Sequence, residues 1–190
     1  MIGKEEYRRN LPHIFPEDAV YFITYRIAGS IPRHIIHSYI KKKENNMVDY
    51  FEEFDDYLNT QKGTLTEPRI ANIIKESLWF YHEKYFKLIS YCIMSSHVHL
   101  VINTNNYPYK SLHLLLKSIK GVSSNKINKL KGRKGQFWHH ESYDRVVRDR
   151  NELSNVIMYT LNNPVKACLV EHWMDWEYSY VDEKYIEKGK

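Results

Sequence analysis

His97 and His99 stand two residues apart in Tyr91-Cys-Ile-Met-Ser-Ser-His-Val-His-Leu-Val-Ile102. The flanks, Ser90–Met94 and Val98–Ile102, are rich in β-branched and apolar residues and predict strands. Side chains on a strand alternate faces, so the two imidazoles point the same way, with Cα atoms about 6.6–6.8 Å apart. Val98, Leu100 and Ile102 then point the other way, into a core. Two imidazoles at that separation can converge on one divalent cation or on one phosphate. The pair alone is a weak motif. With 10 histidines in 190 residues, chance supplies about 0.5 such pairs, so the rest of the chain must give it meaning.

A second chemical pair lies near the C-terminus. Asp149-Arg-Asn-Glu152 reads as a capping box that starts a helix. At about 100° per residue, Leu153, Val156, Ile157 and Thr160 gather on one core-facing stripe. Tyr159 falls about 120° from the centre of that stripe, and Asn163, four residues on, returns to within about 40° of it. A tyrosine and a carboxamide therefore share a flank outside the buried stripe. With 16 tyrosines in the chain, this position does not by itself name a nucleophile. Pro164 is expected to end the helix and to leave Asn163 at its frayed edge.

Several elements must position these groups. Val20–Ile27 alternates and is rich in β-formers, so it is a first strand. Residues from Ile31 to about 67 read as a helical insertion, with helical spacing at Ile35, Ile36, Tyr39 and Ile40, then at Val48, Phe51, Phe54 and Leu58. Pro68 opens a helix through Ile70, Ile73, Ile74, Leu78 and Tyr81. Strands follow at Tyr85–Met94 and His97–Asn103, joined by a Ser95-Ser96 turn. Ser111 caps a helix from Leu112 to about Leu130, and Phe137-Trp138 with Tyr143–Val147 supply a last strand. Strand, helix, strand, strand, helix, strand is the order of an α+β, ferredoxin-like split βαβ sandwich with an antiparallel sheet and helices on one face. The chain reads as a single domain over 1–190, with no internal repeat.

Bulk properties narrow the function classes. A hydrophobic content of 43% and an aromatic content of 14% belong to a folded globular chain. No apolar run approaches the roughly 20 residues that span a bilayer, and Met1–Arg9 lacks the apolar core of a signal peptide. Cys92 and Cys168 are isolated, so no disulfide framework is expected. These features predict a soluble, reduced, cytoplasmic protein with no membrane partner. Charge is unevenly laid out around the net +5. Lys84 to His140 contains no Asp or Glu, while it carries Lys84, Lys87, Lys110, Lys117, Lys120, Lys126, Lys129, Lys131, Arg133 and Lys134. Such a one-signed block attracts polyanions. With Tyr107, Tyr109, Phe137 and Trp138 interleaved, it points to nucleic acid, with Lys110, Lys117, Lys120, Lys126, Arg133 and Lys134 as phosphate contacts.

The segments that carry these groups occur together in one family. They are Arg8–His13, Tyr21–Ala28 with Ser30-Ile-Pro32, Met94–Ile102, Leu116–Gly121, Phe137-Trp138 with Tyr143–Asp149, and Tyr159–Ala167 followed by Trp176–Ser179. In that order and at that spacing the chain resembles the REP-associated tyrosine transposases, a branch of the single-tyrosine HUH transposases. The resemblance implies that His97 and His99 bind a divalent metal, Mg²⁺ or Mn²⁺, and that Tyr159 is the nucleophile. It also implies that Asn163 supplies a third ligand. The expected reaction is attack by Tyr159 on a phosphate of single-stranded DNA beside a hairpin, giving a 5′-phosphotyrosine and a free 3′-OH for strand transfer. No nucleotide cofactor is needed, because the phosphotyrosine conserves the bond energy. The chain departs from the family at Ser95-Ser96, where Pro-Asn is usual, and at Ala167-Cys168, where Ala-Gly is usual.

Rival readings remain open at this stage. A zinc site using Cys92, His97, His99, His139, His140 or Cys168 lacks paired ligand spacing, and Cys92 is expected on the strand face opposite His97. A non-catalytic, domesticated hairpin-binding protein would share the basic segment. A replication-initiator or relaxase-type nickase would share the catalytic groups. The sequence leaves open whether the chain forms a homodimer, as some single-tyrosine relatives do, and whether Tyr159 serves its own histidines.

Overall fold

A computed structural model of the chain describes residues 5–9, 11–15, 18–32, 35, 47–108 and 111–186. Strands β1 (Glu5–Arg9) and β2 (Leu11–Phe15) pair antiparallel with each other. The body then runs β3 (Val20–Arg26), α1 (Met47–Thr60), α2 (Pro68–Tyr81), β4 (Lys87–Ile93), β5 (His97–Asn103), α3 (Leu112–Leu130), β6 (Tyr143–Val147), α4 (Arg150–Lys166) and β7 (Ser179–Val181). The main sheet has the order β6-β3-β5-β4-β7, antiparallel throughout. Without its short edge strand β7, this is the fourth–first–third–second order of the ferredoxin-like sandwich the element order predicts, with α2 and α3 as crossovers.

Period-2 alternation sorts the sheet into two faces. Tyr21, Ile23 and Tyr25 of β3 and Val98, Leu100 and Ile102 of β5 pack against Ile70, Ile74 and Leu78 of α2 and Leu115, Leu116 and Ile119 of α3. Burying each such side chain is worth about 1.5–3 kcal/mol. A one-residue slip of β5 would drive His97 and His99 into this core, so the apolar face fixes the register that aims the histidines. The opposite face carries Phe22, Val101 and Val147 beneath Val156, Ile157 and Leu161 of α4. The expectation of helices on one face therefore holds for the crossovers α2 and α3, while α4 covers the other.

Local signals explain most element ends. The Ser111 hydroxyl accepts from the Leu114 amide at 3.2 Å, and Asp149 accepts from the Glu152 amide at 2.8 Å. Glu152 reaches back to the Arg148 amide at 2.7 Å rather than to Asp149, a capping box displaced by one residue. β4 begins at Lys87, not Tyr85, because the Tyr85 amide is still bonded to the Tyr81 carbonyl of the preceding turn. Trp138 makes a single bridge to Ile27 and does not extend a strand. β1, β2 and β7 were not anticipated. Of the expected insertion, α1 contains Val48, Phe51, Phe54 and Leu58. The proposed turn of helix at Ile36, Tyr39 and Ile40 lies outside the described residues.

Pro164 does not end α4, which continues to Lys166. A proline in the last turn forfeits only one helical bond. The helix closes instead two residues later, where the Cys168 amide donates to the Val165 carbonyl and the Leu169 amide to the Pro164 carbonyl, both at 2.9 Å. This is a Schellman closure, and Cys168 at φ 55° occupies its left-handed position. Among the described residues, no helix is long and apolar enough to cross a membrane.

Candidate active site

On β5 the two imidazoles converge, with His97 Nε2 3.1 Å from His99 Nε2. Each ring is held from behind. Thr24, directly across the ladder from His99, places its hydroxyl 2.9 Å from His99 Nδ1. Ser96 places its hydroxyl 3.1 Å from His97 Nδ1 and donates its only hydrogen to the Leu58 carbonyl at 3.0 Å. Ser96 must therefore accept from His97 Nδ1–H, which leaves a bare lone pair on His97 Nε2. Burial, then the neighbouring His99, pushes the His97 pKa down to about 3, so the ring stays neutral. Neutral imidazole is the metal-binding form.

Helix α1 delivers the group that completes the cluster. Asp55 Oδ1 lies 3.2 Å from His99 Nε2 and 3.6 Å from His97 Nε2. Asp55, His97 and His99 all have 0% exposure, and Asp55 Oδ1 has no hydrogen-bond donor. His97 Nε2, His99 Nε2 and Asp55 Oδ1 thus face one point in a dry site, where a proton or a cation can be shared among them. Ligand atoms about 2.1 Å from one ion sit about 3.0–3.4 Å apart; the spacings of 3.1 and 3.2 Å fall in that range and the third, 3.6 Å, lies just above it. Two imidazoles with a carboxylate suit Mn²⁺ or Mg²⁺ better than two imidazoles with an amide. Burial works against Asp55 ionising, but His99, His97 and the Tyr159 hydrogen bond outweigh it and hold its carboxyl below the usual range.

The docking of α1 is built from backbone contacts. A Cβ on Gly63 would lie 2.0 Å from the Ser95 carbonyl oxygen, so only glycine lets this loop meet the hairpin before His97. Next to it, the Leu65 amide donates to Ser95 O at 3.0 Å, and the Ser95 hydroxyl to the Gln61 carbonyl at 2.8 Å. Sequence reasoning missed Asp55. Its signal was position: it lies four residues after Phe51 and three before Leu58, an acid within the apolar stripe of α1.

Tyr159 also reaches this cluster, from α4, with Asn163 one turn further along the helix. The Tyr159 hydroxyl donates to Asp55 Oδ2. Its ring meets His99 edge-on at 5.8 Å between centroids, and Phe22 stacks on His99 from the sheet. Burial, followed by the Asp55 charge, pushes the tyrosine pKa upward and keeps the phenol protonated. The expected exposed flank is absent, since Asn163 is 1% exposed and Tyr159 is half-buried. The reason is α1, which covers that side. Asn59 donates to Asn163 Oδ1 at 2.9 Å, and Lys166 pairs with Asp56 at 2.5 Å. Asn163 is firmly helical rather than frayed, and its oxygen is engaged by Asn59.

Residues 58–163 match the sequence model of the family described as Transposase IS200 like. The chain belongs to this family. The match begins at Leu58, so the Asp55 turn of α1 lies outside it. A protein of Haemophilus influenzae described as a REP-associated tyrosine transposase is 30% identical over 103 residues, covering 50% of this chain and 58% of that relative. The matched segment thus spans little more than half of that relative's length. A solved REP-associated tyrosine transposase bound to a REP hairpin superposes with a TM-score of 0.56 at 15% identity, over 92% of this chain and 81% of that one. At that identity the likeness establishes the fold.

In this IS200-like chain the predicted phosphate contacts fall on α3 and the turn after it, across the sheet from the histidines. Lys117, Lys126, Arg133 and Lys134 are exposed, Lys120 is half-buried, and Lys110 lies outside the described residues. The acid-free run is partly neutralised in space. Lys126 pairs with Glu76 at 2.9 Å, Lys131 with Glu67 at 2.6 Å and Lys87 with Asp182 at 3.2 Å. Arg133 donates to the Gln136 carbonyl and lies 5.5 Å from the Phe137 ring centre.

Cys92 is opposite His99 in the β4–β5 ladder, so it shares the histidine face rather than the opposite one. Two residues form the Ser95-Ser96 turn, which pairs Met94 with His97 and gives Ser90 and Cys92 of β4 the face of the odd-numbered histidines. Among the described residues, the group whose ligand atoms come together is Asp55, His97 and His99, without a cysteine.

Proposed function

We propose that this chain cleaves single-stranded DNA beside a hairpin through attack by Tyr159, with Mg²⁺ or Mn²⁺ held by His97, His99 and Asp55. One observation carries the reading. The Tyr159 hydroxyl meets the carboxylate whose other oxygen faces both imidazole Nε2 atoms, so a nucleophile and a set of cation ligands share one point. The hairpin in the solved relative and the description of the Haemophilus protein support DNA hairpins as partners.

Tyr159 Oη bonds to phosphorus while the P–O3′ bond breaks. The phenolic proton passes by way of Asp55 Oδ2 to the departing 3′ oxygen. The products are a 5′-phosphotyrosine and a free 3′-OH, which can reverse the step or join strands. A bound ion would act as a Lewis acid on the anionic phosphate. Thr24 and Ser96 keep the two Nε2 atoms aimed at the reacting centre, and Asn163 anchors α1 through Asn59. Tyr159 is the half-exposed side of an otherwise buried site, so the phosphate enters by parting Tyr159 from Asp55.

The test is incubation with labelled hairpin DNA carrying single-stranded flanks, with Mn²⁺ or Mg²⁺, followed by denaturing gel analysis. A covalent adduct is expected in the wild type and absent in Tyr159→Phe. An adduct persisting in that variant would move the nucleophile elsewhere, Tyr143 being next. The complete burial of His97, His99 and Asp55 favours one second reading, a hairpin-binding protein that does not cut. Wild type that binds hairpins yet gives no adduct with either metal would select it.

A further inference from the structure

Tyr159 sits midway between two cations along one stripe of α4. At about 100° per residue, Glu152, Tyr159 and Lys166 fall within about 40° of one another, and each interval between them covers about 10 Å of helix. Arg145 of β6 donates to Glu152 Oε1 at one end of this stripe, and Lys166 pairs with Asp56 of α1 at the other. The β3–β6 ladder sets Arg145 opposite Phe22, and Tyr143 opposite the Thr24 that holds His99. Arg145 therefore shares the histidine face. Its guanidinium lies 5.7 Å from the centre of the Phe22 ring, which meets the Tyr159 ring edge-on at 5.8 Å.

Neither cation belongs to the acid-free segment, whose described basic residues on α3 and the turn after it lie across the sheet. A strand that reaches Tyr159 brings its own phosphates past this second face, and cations here hold it in line for attack. Both resting pairs are suited to exchange. Lys166 and Asp56 are exposed, and Arg145 and Glu152 are partly so. Ion pairs open to water contribute little to stability, so trading a carboxylate for a phosphate costs little. The bond to Glu152 uses one of the five N–H donors of Arg145, and a guanidinium fork matches a phosphate well. Behind burial and Asp55, the Asp56 charge also helps keep the Tyr159 phenol protonated. The pair at Lys166 is thus within electrostatic range of the nucleophile.

We infer that Arg145 and Lys166 form the two ends of a phosphate clamp that lays the strand to be cut along α4, with Tyr159 between them. Glu152 and Asp56 hold the phosphates' places until DNA arrives. The inference rests on the Tyr159 reading above. It assigns contacts to the backbone of the strand and not to its bases, so it carries no sequence preference.

Anisotropy titrations with Mn²⁺ and labelled hairpin DNA carrying single-stranded flanks test it, in the full chain with Tyr159→Phe to stop cleavage. Added to that chain, Lys166→Gln and Arg145→Gln are each expected to weaken binding about tenfold, as loss of a hydrogen bond to a charged group does. Each should also lower the slope of log affinity against log salt by about 0.7, the counterion release of one single-strand phosphate. Arg145→Lys should recover part of the loss. Asp56→Asn breaks the same pair as Lys166→Gln, yet it is expected to tighten binding, because it frees the ammonium in advance. A bridge that only docks α1 would shift affinity in the same direction in both variants. That result, or an unchanged salt slope in either Gln variant, overturns the clamp. The Tyr159 reading then still stands on the adduct formed by wild type. Failure of both wild type and Tyr159→Phe to bind the DNA overturns both.

Discussion

Tyr159 donates its hydroxyl hydrogen to the carboxylate of Asp55, which lies 104 positions earlier in the chain. The bond joins α4 to α1 over the histidine face of the sheet. It also sets the resting state of the site. Burial and the Asp55 charge hold the phenol protonated, while the histidines and Tyr159 hold Asp55 ionised against its own burial. The nucleophile is thus restrained by the same carboxylate that faces the imidazoles.

Asp55→Asn retains the shape of the side chain and removes its charge. Mn²⁺ affinity measured by calorimetry is expected to fall by at least about tenfold, since even partners outside the ligand set commonly cost that much. The tyrosine should lose part of its upward pKa shift, visible in an ultraviolet titration of the folded protein. Metal affinity equal to wild type would remove Asp55 from the ligand set.

Gly63→Ala brings a methyl group into the Ser95 carbonyl. The loop after α1 must then lift from the hairpin, which is expected to cost about 1–3 kcal/mol in urea unfolding, the usual range for an unrelieved clash. Because the same docking carries Asp55, Mn²⁺ affinity should drop along with stability. Weakened stability with unaltered metal binding would mean that α1 is positioned by contacts other than this loop.

Stability should decline as pH falls from about 6.5 towards 4. Burial, then His99, holds the folded His97 pKa near 3. Burial, then Arg26, holds that of His139 near 4. Both values lie below the ordinary histidine value near 6.5. The unfolded chain therefore binds more protons in this window, and the stability present above pH 6.5 is lost as pH falls towards the folded values. The slope for the fully buried His97 approaches about 1.4 kcal/mol per pH unit, while that of the half-buried His139 is smaller. Urea unfolding across this range is the measurement, with His139→Asn expected to flatten it in part.

Cys168→Gly should stabilise the protein by about 1 kcal/mol, because Cys168 holds a left-handed conformation that costs a side-chain-bearing residue roughly that much. Glycine is the residue that a Schellman closure such as that of α4 favours, because it takes the left-handed position without a side-chain penalty. A lowered melting temperature in Cys168→Gly would show that the thiol makes a compensating contact.

Alternation along β5 was enough to aim His97 and His99 together, because a strand's side-chain period is a local property and its apolar half demands burial. Helical spacing and side-chain caps likewise located α2, α3 and α4, and the order of elements specified the ferredoxin-like sheet. Asp55 was hidden for the opposite reason. An acid in a charged insertion looks solvated until the insertion folds back, and what folds it back is a glycine contact with a distant hairpin. The same distance effect altered the charge map, since Glu76 of α2 and Glu67 at its N-cap neutralise lysines of a segment that contains no acid of its own. Asn163 became buried because α1 packs on a flank that helical angle alone leaves open. Local pattern determined which faces the side chains take. Tertiary packing decided which faces meet, because electrostatic and steric partners are chosen across space by groups far apart in the chain.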